Sequence, residues 1–223
     1  MSLNEQPAVI EPPQTAEIDR EAPDFEARTT HGIVRLSDYR GRWLVLFSHP
    51  ADFTPVCTSE FIAFQKAAPH FAALDTDLLG LSVDSVFAHL AWVNDLKDRF
   101  GVQITFPIIE DISMAVARAY GMIHDQSTST ATVRSLFFID PHGIIRAIIH
   151  YPMNIGRSAD EILRVLSALQ EADANTVATP EGWRPGDRTV LPPPVTEKEV
   201  IDRETHQEAN KSWYFTEVNG VTR

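Results

Sequence analysis

The one cysteine of this 223-residue sequence, Cys57, lies in a segment that could support thiol chemistry, HPADFTPVCTSE. Thr54 followed by Pro55 predicts the start of a helix. The threonine hydroxyl can accept a hydrogen bond from a first-turn amide, and proline suits the first helical position. Cys57 would then lie in the first turn, where unpaired amides and the positive end of the helix dipole favour the thiolate over the thiol. A thiolate is the nucleophile that reaction with a peroxide requires.

A simpler interpretation is that Cys57 is a small core side chain, because free cysteines are among the most often buried residue types. With one cysteine the chain cannot form an internal disulfide, which excludes the framework typical of small secreted proteins. Any oxidised sulfur formed on Cys57 would therefore need a thiol from outside the chain to reduce it.

Apolar patterning indicates the elements that must position Cys57. The continuous apolar run over 43–48 suits a strand buried on both faces, and apolar residues recur at helical spacing after the cysteine. Further strands are predicted over 33–36, 77–83, 106–109, 135–140 and 144–151, and helices over 86–100, 113–120 and 159–172. In the helix over 86–100 the apolar positions are taken as Leu90, Val93 and Leu96.

The last two predicted strands are joined by Asp140-Pro141-His142-Gly143, which has the residues of a tight hairpin turn and makes that pair antiparallel. Strand–helix units come first and the antiparallel hairpin last. This order predicts an α/β fold of the thioredoxin-like type, with a mixed central sheet and helices on its faces.

Composition divides the chain into three predicted parts. Residues 1–20, rich in Glu, Pro and Gln, are expected to form a flexible N-terminal lead-in, and residues 21–173 the thioredoxin-like domain. Residues 174–223 form a proline-rich C-terminal extension without apolar periodicity, which we expect to make no core of its own. Its aromatic residues, among them Trp183, Trp213 and Tyr214, are too apolar to remain in water, so the extension is expected to pack on its own domain or a partner subunit.

Charge and hydropathy exclude several classes of function. The formal net charge of −12 would repel nucleic acid and anionic lipid, and no dense basic cluster offsets it. The apolar runs are too short to span a membrane, and the first residues lack the features of a secretory signal, so the expected location is cytoplasmic. The histidines show no metal-binding spacing and one cysteine cannot form a thiolate-rich zinc site; we predict no metal and no cofactor.

The pattern Pro50-x-x-x-Thr54-x-x-Cys57 after an apolar strand resembles the active-site signature of the peroxiredoxins. The resemblance covers residues 22 to about 220. It is closest to the one-cysteine group, because HPADFTPVCTSEF and the proline-rich extension are similar to that group. The further features that support it are Ala22-Pro23-Asp24-Phe25, Glu60, Arg134 and Gly156-Arg157.

This resemblance implies a thiol peroxidase that reduces hydrogen peroxide and organic hydroperoxides. It implies that Cys57 attacks the peroxide and becomes a sulfenic acid, which an external thiol reduces. Thr54 would orient the peroxide and Pro50 would shield the sulfur from water. Arg134 would stabilise the thiolate and the charge on the leaving oxygen. The assembly implied is a homodimer or a higher ring-like oligomer.

The resemblance assigns supporting roles to three further residues. Glu60 and Arg157 would hold Arg134 in place, although an ordinary surface ion pair is an alternative for each. His49 could line the pocket near the sulfur or be a satisfied structural residue at a strand end, and both interpretations stay open.

Two other classes of function compete with a peroxidase. One is a redox-responsive chaperone or scaffold, in which the only effect of Cys57 oxidation is a change in how the subunits assemble. The other is a thioredoxin-fold binding module without chemistry, which leaves the joint presence of Pro50, Thr54, Cys57 and Arg134 unexplained. Peroxide turnover with added thiol separates the peroxidase from both.

Overall fold

A computed structural model describes residues 16–123, 127–205 and 210–219 of the chain. The chain forms two compact units, Met1–Gly156 and Arg157–Arg223. Within the described part, the first unit contains a seven-stranded sheet in the order β2-β1-β5-β4-β3-β6-β7. Its strands are β1 (Glu26–Thr29), β2 (Gly32–Arg35), β3 (Trp43–Ser48), β4 (Thr76–Ser82), β5 (Ile108–Glu110), β6 (Arg134–Ile139) and β7 (Ile145–Tyr151). Its helices are α1 (Pro55–Ala73), α2 (Val86–Phe100) and α3 (Ala115–Ala119), with a 3-10 turn at Leu36–Tyr39.

The sheet is mixed, as predicted. Strands β3, β4 and β5 are parallel neighbours, whereas β3 pairs with β6 and β6 with β7 in antiparallel fashion. This confirms the α/β thioredoxin-like architecture and the predicted hairpin over 140–143, where Gly143 has a φ of 77° that favours glycine.

All six residues of β3 are buried because the sheet is covered on both faces. On one face, Leu44 and Leu46 belong to a core cluster with Tyr120 and Phe137. On the other face, Phe47 meets aromatic rings of α1, with its ring centroid 5.6 Å from that of Phe61 and edge-on geometry. A strand between two apolar layers requires a continuous apolar run, which is why β3 could be predicted with its bounds.

Helix α2 has the predicted bounds, and of its three predicted apolar positions Leu96 is buried, Val93 is half-buried and Leu90 is exposed. The structure buries Val86, His89, Trp92 and Leu96, whereas Leu90 is exposed. The apolar positions of this helix are divided between two faces, and packing against the sheet selects the face that carries a histidine.

Strand β1 was not predicted; it pairs with β2 along Glu26↔Arg35 to Thr29↔Gly32 and with β5 at Thr29↔Ile109.

The second unit contains helix α4 (Ala159–Asn175), strand β8 (Thr189–Val190), helix α5 (Glu197–Thr205), strand β9 (Asn210–Ser212) and strand β10 (Phe215–Val218). Strands β8, β10 and β9 form a small antiparallel sheet in that order. The expectation that the C-terminal segment lacks a core of its own missed this sheet. Trp183 is 4% exposed and its indole N–H donates to the carbonyl of Asp187 over 3.2 Å.

The composition-based boundaries at 20 and 173 stay predictions. Residues 1–15 of the expected lead-in lie outside the described residues. At its end, the Asp19 amide donates to the Ile145 carbonyl over 2.8 Å and the Ile145 amide to the Arg20 carbonyl over 2.9 Å. Among the described residues, the helices are all too short or too polar to cross a lipid bilayer.

Candidate active site

The antiparallel pairing of β3 with β6 brings the cysteine and the arginine to the same end of these two strands. Strand β3 leads into the loop before α1, and Arg134 is the first residue of β6. In an antiparallel pair the end of one strand lies beside the start of the other. Two hydrogen bonds join the end of β3 to the segment before β6. The Ser48 hydroxyl donates to the Val133 carbonyl over 2.6 Å, and Thr132 Oγ1 donates to the His49 carbonyl over 2.9 Å.

Cys57, Arg134 and Glu60 form a buried cluster. Cys57 is 0% exposed, and Arg134 and Glu60 are each 2% exposed. Arg134 Nη1 lies 3.3 Å from Cys57 Sγ and 2.8 Å from Glu60 Oε2, while Nε donates to the Met153 carbonyl over 2.9 Å. The planar guanidinium is thus held on two sides and directs a positive charge at the sulfur. This arrangement places a charged hydrogen-bond donor against the Cys57 sulfur.

Thr54 is the N-cap of α1 and Pro55 its first residue, so the predicted helix start is confirmed. The predicted capping bond is not formed. Instead, the Thr54 hydroxyl donates to the Ala51 carbonyl over 2.9 Å. This bond uses the hydroxyl proton, so the Thr54 oxygen presents its lone pairs as an acceptor. Pro50 is buried in the same loop, beside the strand end.

The segment before the second unit passes close to the first turn of α1. Gly156 faces this turn, since a Cβ atom on it would be in van der Waals contact with Val56 Cγ1, at 3.4 Å, and would lie 4.0 Å from Glu60 Cγ. Met153 in this segment supplies the carbonyl that receives Arg134 Nε. Arg157 is the first residue of the second unit and is buried, at 5% exposed. Its role in holding Arg134 stays a prediction.

His49 lies in a second buried cluster with Asp52 and His89. His49 Nε2 is 2.8 Å from Asp52 Oδ1, and His89 Nδ1 is 2.8 Å from Asp52 Oδ2. Burial lowers the pKa of His49, although its bond to Asp52 opposes this. Burial alone would raise the pKa of Asp52, but the hydrogen bonds to both histidines outweigh it and the pKa is lowered. An ionised Asp52 beside a neutral His49 follows.

These three side chains have the donor types of a metal site, with ligand atoms within 4.8 Å of one another. Around a tetrahedral zinc ion at about 2.0 Å, ligand atoms stand about 3.3 Å apart. The two 2.8 Å contacts of Asp52 are shorter and match direct hydrogen bonds. The predicted absence of a metal remains a prediction.

The sequence indicated Cys57, Thr54, Pro50, Arg134, Glu60 and His49 as candidates and did not indicate Asp52, His89 or Met153, which the structure places in contact with members of that set or with one another. Asp52 stood inside the active-site segment, and its signal was a carboxylate three residues after a histidine. His89 is the fourth residue of α2, and a single histidine among the apolar residues of a helix gave no local signal of a partner. Met153 acts through its backbone carbonyl, which side-chain identity does not reveal.

Comparison with known proteins places the chain in a family. The model of the AhpC/TSA family matches residues 18–148, and that of the C-terminal domain of 1-Cys peroxiredoxin matches residues 168–207. Peroxiredoxin 2 of Picrophilus torridus is 47% identical over 198 residues, which cover 89% of this chain and 96% of that protein. The chain belongs to the peroxiredoxin family, in its one-cysteine group.

Solved peroxiredoxin structures agree with this. A yeast mitochondrial 1-Cys peroxiredoxin, studied for thiol resolution through glutathione and thioredoxin systems, has a TM-score of 0.78 and 41% identity, covering 91% of this chain and 99% of that one. Peroxiredoxin 6 of Arenicola marina, as a Cys-to-Ser mutant, has a TM-score of 0.81 and 34% identity, covering 93% and 99%. As a member of this family, the chain is a thiol peroxidase that uses a single cysteine and thiol-based reduction.

Proposed function

We propose that Cys57 is the peroxidatic cysteine and that it reduces hydrogen peroxide and organic hydroperoxides through a sulfenic acid. The observation that supports this most directly is the 3.3 Å contact of Arg134 Nη1 with Cys57 Sγ, made while the same nitrogen is paired with the buried Glu60. A guanidinium fixed against a buried sulfur has no evident use in packing, whereas it stabilises a nucleophilic thiolate.

The proposed first step is an in-line displacement on the peroxide. The Cys57 thiolate attacks the distal oxygen, so an S–O bond forms as the O–O bond breaks. Sulfur is oxidised by two electrons, and the leaving oxygen is reduced to the level of water or an alcohol. The distal oxygen keeps its hydrogen and gives the sulfenic acid, while the leaving oxygen takes up the proton that the thiol lost on ionisation.

Arg134 and Thr54 have complementary roles in this step. In the described part of the chain Arg134 bonds through Nε and Nη1, so the N–H groups of Nη2 can donate to the oxygen that develops negative charge. The Thr54 oxygen can accept the hydrogen of the peroxide, because its own proton is used on the Ala51 carbonyl. One group donates and the other accepts, which orients an asymmetric peroxide with its distal oxygen toward sulfur.

The second step is reduction by an external thiol. One thiol condenses with the sulfenic acid, releasing water and leaving a mixed disulfide, and a second thiol displaces it to restore Cys57. The yeast relative is linked to glutathione and thioredoxin systems, which supports a reductant of this type here. We propose a cytoplasmic location, because the cytosol keeps thiols of this kind reduced.

We further propose that the protein acts as a homodimer or a larger ring-like oligomer built from it. Strand β7 is at the end of the described seven-stranded sheet, so one side of it is open to pair with another strand. In the second unit Val195, Trp213 and Tyr214 are 85%, 41% and 63% exposed. Apolar groups of this size commonly mark a subunit interface, which supports packing of the C-terminal extension on a partner.

The test of the proposed chemistry is peroxide consumption by wild type and Cys57→Ser with dithiothreitol present. We expect turnover by the wild type alone, because a serine hydroxyl at this position is not ionised and cannot form a sulfenic acid. Similar turnover by both proteins would refute the role of Cys57. Turnover by neither, with oxidation-dependent assembly of the wild type, would favour the redox-responsive scaffold.

A further inference from the structure

We propose that Asp52 and His89 are positioning residues for the peroxide reaction. Together with His49 they form a buried, hydrogen-bonded bridge that fixes the active-site loop, residues 49–54, against α2 and β5. This inference rests on the proposed role of Cys57. It adds two residues outside the cysteine–arginine–glutamate cluster, one of which lies 32 positions along the chain from Cys57.

The bridge links three separate elements. His49 and Asp52 belong to the active-site loop, and His89 belongs to α2. The other nitrogen of His89, Nε2, lies 3.1 Å from the carbonyl oxygen of Ile109 in β5. All three side chains are buried, at 0% exposed for both histidines and 7% for Asp52. The loop is therefore joined through one carboxylate and one imidazole to the body of the sheet.

Hydrogen-bond partners assign the protons of this bridge. The Ile109 carbonyl can accept only, so His89 Nε2 carries a proton. Asp52 also accepts when it is ionised, so His89 Nδ1 carries a second proton and His49 Nε2 a third. His89 is then an imidazolium and Asp52 a carboxylate. The bridge is neutral as a whole, which is the condition under which burying the two charges is tolerable.

The path of the loop explains why it needs anchoring. Phe53 has a φ of 55°, in the left-handed region that bulky side chains disfavour, and the residue is 57% exposed. Immediately before it, the Asp52 amide donates to Asp84 Oδ2 over 3.0 Å, and Asp84 also accepts from the Ser82 hydroxyl over 2.6 Å. Asp52 is thus held through both its backbone and its side chain, directly before the strained residue.

Thr54 follows this strained residue, and α1 with Cys57 begins immediately after it. If the bridge is lost, the left-handed turn at Phe53 can relax, and the Thr54 oxygen moves relative to the sulfur. A displacement of about 1 Å in a reacting group can slow a reaction on the order of a hundredfold. Neither Asp52 nor His89 has a described contact with Cys57, so both act through the loop.

The first test is nitrogen NMR of histidine side chains in the reduced, full-length protein at neutral pH, with His89→Gln used to assign the signal. We expect both ring nitrogens of His89 to be protonated. A neutral ring, with one unprotonated nitrogen, would overturn the proton assignment on which the bridge depends. This readout does not involve peroxide, so it is independent of whether Cys57 performs the proposed chemistry.

The second test is the bimolecular rate constant for peroxide in Asp52→Asn and His89→Gln, measured in a single turnover beside the free energy of unfolding. We expect the rate constant to fall tenfold or more, at the scale of a misplaced reacting group, in variants that remain folded. His70→Gln is the control, because His70 is an exposed residue at the far end of α1, and its rate constant should equal that of the wild type.

Folded variants with wild-type rate constants would refute the positioning role. If either variant does not fold, the double variant Asp52→Asn/His89→Gln decides, since it removes both charges together. A rate constant for the double variant above that of a folded single variant supports a coupled pair. If the increases in activation free energy measured for the two single variants add up to the increase measured for the double variant, the two residues act independently, which would contradict a coupled pair.

Discussion

Arg134→Lys tests whether the geometry of the guanidinium, and not its charge alone, drives the reaction with peroxide. Arg134 contacts Cys57 Sγ, Glu60 Oε2 and the Met153 carbonyl from two different nitrogens, at 3.3, 2.8 and 2.9 Å. Lysine keeps the positive charge but concentrates its donors on one atom. It can meet one or two of these partners, and it cannot also donate to the peroxide from a second nitrogen.

The expected loss can be worked from these contacts. Removing one donor that stabilises developing negative charge costs about 10²–10³ in rate, or roughly 2.7–4 kcal/mol of barrier. Because lysine retains the charge, we expect the lower end, about a hundredfold in the rate constant for peroxide. Losing one or two buried hydrogen bonds should lower the free energy of unfolding by about 1–3 kcal/mol.

The assay is single-turnover peroxide consumption by the reduced protein, with a denaturant titration to confirm that the variant is folded. Arg99→Lys is a matched control, because the Arg99 side chain is 72% exposed and pairs with Asp95 on the surface of α2. It should retain the wild-type rate constant. A folded Arg134→Lys within about threefold of wild type would show that charge alone suffices and would refute the reasoning from geometry.

Four other outcomes are expected. Thr54→Val should lower the rate constant for peroxide about tenfold, the value of one hydrogen bond, and an unchanged constant would remove Thr54 from peroxide orientation. Without reductant, one equivalent of peroxide per subunit should be consumed before the reaction stalls, and excess peroxide should add about two or three oxygens to Cys57 by intact mass; steady turnover would contradict the one-cysteine mechanism. Deleting residues 175–223 should weaken association, and sedimentation at the full-length oligomeric state would count against a subunit contact. The free energy of unfolding should fall as the pH drops below 6.5, the ordinary pKa of histidine. Below that pH the unfolded chain binds a proton at His49, whereas the folded protein, in which the pKa of His49 is lowered, does not. The slope should approach about 1.4 kcal/mol per pH unit, and a denaturant titration that shows the same slope in His49→Gln would assign it to another group.

Local sequence was sufficient to place Cys57 in the first turn of a helix and to predict the elements around it. The pair Thr54-Pro55 begins a helix through backbone geometry that depends on adjacent residues alone. The position of Cys57 in the first turn was therefore predictable from these two residues. The apolar run of β3 and the turn over 140–143 were predictable for the same reason. Each pattern reports burial or backbone shape over a few residues, and the fold preserves it.

Tertiary structure decided which distant groups meet these local features. The contact of Arg134 with Cys57 exists because β6 pairs antiparallel with β3, a long-range choice that neither strand's pattern specifies. The sequence likewise did not specify which face of α2 is buried. Packing against the sheet placed His89 in the interior, where it contacts Asp52. A helix with apolar residues on two faces can bury either one. The free energy of the whole core, and not the helix pattern, selects the face that completes the active-site loop.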